Sequence, residues 1–160
     1  MAAASTGNGG RIVVGIDGSP SSERALRWAV DRARESGGTV DAVIAWDVPV
    51  SAGIPVNYGG AQISAADWEG NSRTVLDETL GKVLSEEERA QVHPRTVQGH
   101  PARVLLQAAE GAYQLVVGSR GHGGFAGMLL GSVSQHLIAH APCPVTVIRG
   151  PGDDGSPPAR

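Results

Sequence analysis

Lysine is almost missing from this sequence: Lys82 is the only one, so every other basic side chain except histidine is arginine. A phosphate site away from residue 82 must therefore be built without an ammonium group. Cysteine is equally scarce. Cys143 stands alone, which excludes an intrachain disulfide and leaves no sign of an oxidising compartment. Placed in "APCPV" at the entry to an expected strand, it reads as a small buried hydrophobe rather than a reactive thiol. No apolar run approaches the roughly 20 residues that cross a bilayer. An excess of positive charge is also lacking: the net charge is −3, which removes the electrostatic ground for nucleic acid or an anionic membrane as partner. The opening "MAAASTGNGG" has neither the basic start nor the apolar centre of a secretory signal, and a cytoplasmic location is expected.

What is present reads as one globular domain of ordinary composition: 160 residues, 41% hydrophobic and 18% charged. The Gly/Pro-rich ends, residues 1–10 and 150–160, are expected to be disordered tails around a domain at 11–149. Within it, strand and helix patterns alternate. "RIVVGID" (11–17) is a short β-branched run fit for burial on both faces. Ser19 is an N-cap candidate with Pro20 at the first helical position, and Gly37 and Gly38 stop that helix. "TVDAVIAW" (39–46) is the second strand, followed by a long loop that begins at Asp47. Residues 64–88 read as one helix, with "SEEER" (85–89) as its solvated end. "VHPRTVQG" (92–99) is a third strand, placed at an edge by Pro94. A helix at 100–112, a strand at 113–119, a helix at 131–141 and a strand at 143–149 complete the pattern.

Five strands alternating with helices imply a doubly wound α/β fold, a Rossmann-like five-stranded parallel sheet with helices on both faces. In strand order 3-2-1-4-5 the first and fourth strands are neighbours at the switch point, where such sheets bind ligands beyond their carboxyl ends. Asp17 and Gly118 stand there. Asp17 either caps the following turn or meets a ligand.

Gly118, Gly121 and Gly131 form the pattern G-x2-G-x9-G-S, and Ser132 then opens a helix. Bare backbone and a helix N-terminus make an anion site, to which Ser132 and Ser134 add hydroxyls. The G-x-x-x-x-G-K-[ST] signature is absent, so this is not a P-loop; Arg120 and, when protonated, His122 are the cations of the loop. Residues 121–126 also match G-x-G-x-x-G/A. That motif belongs after a first strand with an acid about twenty residues on, and neither condition holds here.

"VVGIDGSPSSERALRWA" and "LVVGSRGHGGFAGMLLGSVSQHLIAHAPCPVTVIR" resemble the universal stress protein family in its ATP-binding subclass, over roughly residues 10 to 149. The resemblance implies the 3-2-1-4-5 sandwich related to adenine nucleotide alpha hydrolases, and a homodimer formed through the last strand, Cys143 to Arg149. It places Gly15 and Asp17 against adenine and ribose, with backbone contacts to adenine from Trp46. Gly118, Arg120, Gly121, Gly131, Ser132, Val133 and Ser134 would then hold ribose and phosphates. The cofactor implied is ATP, with Mg as a possible companion; cyclic AMP and other adenine nucleotides are not distinguished. Hydrolysis needs a water-positioning base and charge stabilisation at the transferred phosphoryl group. Only Asp17 and Arg120 are at hand, so no catalytic residue is assigned and little or no turnover is expected. A slow ATP hydrolase or an adenylyl-transferring enzyme is the alternative. His136 and His140, four apart on a helix, lack a third ligand and read as a solvated pair. Trp28 and Trp68 read as packing residues.

Overall fold

The computed structural model describes residues 9–48, 57–58, 61–62, 64–121 and 130–150. In chain order these form β1 (Arg11–Ile16), α1 (Pro20–Ser36), β2 (Thr39–Trp46), the two-residue strands β3 (Asn57–Tyr58) and β4 (Ala61–Gln62), α2 (Ala65–Val83), α3 (Glu86–Arg89), β5 (Val92–Gln98), α4 (Pro101–Ala108), β6 (Gln114–Gly118), α5 (Ser132–His140) and β7 (Val145–Ile148). The main sheet runs β5-β2-β1-β6-β7 and every neighbour pair in it is parallel. Counted without the small antiparallel β3–β4 pair, this is the order 3-2-1-4-5. The edge position expected of the strand containing Pro94 holds, because β5 has only β2 beside it.

The apolar run of β1 follows from helices lying on both faces of the sheet. Ile12 and Val14 pack into the layer under α1 and α2, with Leu26, Leu76 and Leu80. Val13 faces the other way, into the layer under α4 and α5, with Val43, Leu105, Leu115 and Leu137. Each such side chain contributes roughly 1.5–3 kcal/mol by leaving water. Trp28 packs against the first layer, as expected of it. Cys143 is half-buried against the second rather than fully enclosed, and burial pushes its thiol pKa up, away from thiolate chemistry.

Helix α1 begins and ends where its sequence signals stand. Ser19 is the N-cap and its hydroxyl accepts from Ser22 N, Pro20 opens the helix, and Gly37 closes it in the left-handed conformation at φ 71°. The expected helix over 64–88 is instead two helices. Ser85 caps α3 in a reciprocal box with Glu88, which draws the chain out of α2 at Leu84. Nor is "SEEER" a purely solvated run: Glu88 accepts from Arg27 at 2.8 and 3.0 Å and from Arg34 at 3.0 Å, tying α3 to α1. His136 and His140 are exposed, and their rings stack at 4.4 Å. Among the described residues no three acidic, histidine or cysteine side chains gather as metal ligands. Among them also, no helix is long and apolar enough to cross a membrane. The tails at 1–8 and 151–160, most of the loop after Asp47, and His122 lie outside the described residues.

Candidate functional site

At the carboxyl end of the sheet, between β1 and β6 and on the side of α4 and α5, lies a cavity of about 440 Å³. It falls within the range of roughly 300–1,000 Å³ usual for small-molecule sites. Nine of the ten residues singled out in the sequence line it: Gly15, Asp17, Gly118, Arg120, Gly121, Gly131, Ser132, Val133 and Ser134. Trp46 does not. It closes β2 just beyond Ala45, which does line the cavity, and its carbonyl accepts from Gly99 N at 2.8 Å.

One wall is apolar and was not legible as a motif. Val43 and Ala45 stand two apart on β2 and so share its face, while Pro101 and Leu105 stand four apart on α4. Val117 completes the wall. The available signal was periodicity alone, and it does not separate a cavity wall from a core. Gly15 belongs to this wall for a packing reason: a Cβ there would come within 2.9 Å of Leu105 Cδ1 and 3.3 Å of Val117 Cγ1.

The opposite wall is polar and built from backbone. Asp17 divides its carboxylate between two duties. Its Oδ1 accepts from Ser19 N at 2.9 Å and from the Ser19 hydroxyl, closing the turn that Gly18 makes with φ 80°. Its Oδ2 faces the glycine loop, so close that a Cβ on Gly121 would stand 2.6 Å from it. Both readings of Asp17 open in the sequence are thus available to the same side chain. Behind it, Gly118 is pressed against α1: a Cβ would meet the Ser21 hydroxyl oxygen at 2.3 Å and its backbone carbon at 2.7 Å. The loop after β6 is fixed at its base by Ser119 N donating to Ile148 O at 2.9 Å. Gly131 N closes it by donating to Ser119 O at 2.7 Å. Ser134 is buried and spends its hydroxyl on Gly118 O at 2.8 Å, which leaves Ser132 as the exposed hydroxyl of that turn.

Gly131 is the N-cap of α5 and supplies no side-chain cap, so the helix start presents its N–H groups to the cavity. Among the described residues, packing does not require a glycine here: a Cβ would find its nearest such neighbours at 3.7 Å, an ordinary contact, and the backbone angles φ −71° and ψ 163° suit any residue. Among the described residues two formal charges line the cavity, Asp17 and Arg120, and they balance. An apolar slot on one side and a bare-backbone helix start on the other suit a ligand with a flat apolar part and an anionic part.

Comparison with known proteins places the chain in a family. Residues 9–149 match the model of the Universal stress protein family. The chain is 37% identical over 141 residues to a universal stress protein of Mycolicibacterium smegmatis, covering 86% of this chain and 45% of that one. It is 41% identical over 139 residues to a universal stress protein of Mycobacterium tuberculosis, covering 86% of this chain and 45% of that one. The chain thus spans about half the length of the curated relatives it matches. Among solved structures, that of a universal stress protein in complex with cAMP superposes with a TM-score of 0.63 at 27% identity, covering 86% of this chain and 95% of that one.

Proposed function

The chain belongs to the universal stress protein family, and we propose that it is a nucleotide-binding module of it, taking an adenine nucleotide in the cavity at the carboxyl ends of β1 and β6. Adenine lies against Val43, Ala45 and Leu105, near the end of β2 where Trp46 offers backbone groups. Asp17 Oδ2 meets the ribose, and Arg120, Gly121 and the α5 start at Gly131–Ser134 take the phosphates. ATP enters with a divalent cation on its phosphates. As a stress-response module it couples nucleotide occupancy to its conformation or to its choice of partner.

The observation that carries this reading is Gly131. Among the described residues its missing side chain answers no packing need, and it keeps bare backbone at the start of α5, where a Cβ would stand 3.7 Å from Gly121 N. The relative solved with cAMP supports the ligand class. Turnover is slow or nil, because Asp17 is held in its turn by Ser19 and Arg120 is the other charged group of the lining.

The test is the nucleotide content of the purified protein, read by anion-exchange chromatography after denaturation, beside Gly131→Ala. Adenine nucleotide bound by the parent, and bound at least tenfold more weakly by a variant of unchanged melting temperature, is the expected result. A protein that neither carries nor binds any adenine nucleotide refutes it. ADP or AMP released steadily from added ATP replaces the module with the enzyme.

We also propose that two chains pair through β7. It is an edge strand, and its four residues, three of them apolar, are all half-exposed.

A further inference from the structure

We propose that the cavity sorts adenine nucleotides by charge, preferring a single phosphate over metal-free ATP; the proposal rests on the nucleotide reading above and names which member of that class the site favours. Three observations carry it. Among the described residues, the formal charges lining the cavity are one carboxylate, Asp17, and one guanidinium, Arg120, which balance. The chain that follows adds no permanent charge: residues 121–148 contain no lysine, arginine, aspartate or glutamate, and their basic side chains are His122, His136 and His140. The only lysine is committed elsewhere, with Lys82 Nζ 2.8 Å from Glu23 Oε1 at the far side of the Asp17 turn.

Arg24 of α1 has its guanidinium against Gly150 and is not among the residues that line the cavity. Anion binding therefore falls to Arg120, the exposed Ser132 hydroxyl and backbone N–H dipoles at the start of α5. A phosphate monoester brings roughly two negative charges at neutral pH, a cyclic phosphodiester about one and ATP about four. Dipoles and one cation, balanced by one carboxylate in the same lining, match the first two. They leave the outer phosphates of ATP uncompensated, in a molecule whose net charge is already −3. A divalent cation carried on the nucleotide's own phosphates would supply the missing compensation. Charge thus grades the ligands: AMP and cyclic AMP bind well without metal, free ATP poorly, and ATP with magnesium nearly as well as AMP.

The experiment is isothermal titration of the whole chain with adenosine, AMP, cyclic AMP and ATP, each in EDTA and in excess magnesium, at low and at moderate salt. In EDTA, ATP is expected to bind roughly tenfold more weakly than AMP, with magnesium removing most of the difference and added salt narrowing it. Ser132→Lys places a cation at the exposed first position of α5. It is expected to strengthen metal-free ATP binding severalfold more than it strengthens AMP binding. Metal-free ATP binding as tightly as AMP, or a gap indifferent to salt and to Ser132→Lys, overturns the proposal while the nucleotide reading stands. Failure of every compound, adenosine included, removes the nucleotide reading and this proposal with it.

Discussion

At the scale of single residues, the three loop glycines are not equivalent. Gly118 is glycine because Ser21 fills the space a Cβ needs, and Gly121 because Asp17 Oδ2 does. Gly131 has room for a methyl group. Substitution by alanine should separate them. Gly118→Ala is expected to lower the melting temperature by several degrees, as a backbone clash of this kind costs about 1–3 kcal/mol. Gly131→Ala is expected to leave it in place and act on nucleotide affinity alone. Thermal unfolding with and without nucleotide reads both. Glu88 gives a second residue-scale prediction. The Arg27 guanidinium, and then the Ser85 N–H, hold its carboxyl down from an ordinary 4.5 to about 2. Because the folded-state pKa is depressed, the stability it contributes is fully present above pH 4.5 and is lost as pH falls from 4.5 towards 2. Glu88→Gln should therefore flatten stability against pH within that window and leave its shape near neutrality unchanged. A pH series of urea midpoints would show it.

At the scale of elements, caps decide where the chain changes direction. Ser19 serves two elements at once: it caps α1 through Ser22 N and holds Asp17 at the end of β1. Ser19→Ala is expected to cost about 1 kcal/mol as a lost N-cap. It should also weaken nucleotide binding, because the Asp17 carboxylate loses its anchor; Ser19→Thr should restore both. Stability and affinity measured on the pair would distinguish this from a purely structural role, which predicts a change in stability only. Ser85 shows how a cap escapes a reading by periodicity. The S-x-x-E signature stands plainly in "SEEE", yet the helical pattern running into it from α2 masks it. A four-residue helix is too short to display a period of its own.

At the scale of the whole molecule, a parallel sheet covered on both faces leaves its two edges uncovered. β5 carries Pro94 and pairs only with β2. β7 carries no such interruption, since Val145, Thr146, Val147 and Ile148 are all half-exposed beside β6. Pairing of two chains through β7 predicts sedimentation at twice the chain mass at micromolar concentration; a monomer under those conditions excludes it.

The sequence by itself determined the alternation of strands and helices, the limits of α1 and the glycine–serine loop beside the cavity, while the order of the sheet and the placing of Gly15 and Val133 came with the family resemblance. The former rest on local rules: runs of β-branched residues, Ser-Pro and Gly at helix ends, and glycines spaced around a helix start. Only the tertiary structure decided what those residues meet. It split the Asp17 carboxylate between Ser19 and the glycine loop, and assigned Gly15 and Gly118 to packing while leaving Gly131 open. It brought Val43, Ala45, Pro101 and Leu105 into one wall, and drew Glu88 out of a solvated run onto Arg27 and Arg34. The physical reason is range. Caps and periodicity act over about one helical turn. A cavity wall is made by residues up to about a hundred positions apart that meet only once the sheet has closed around them.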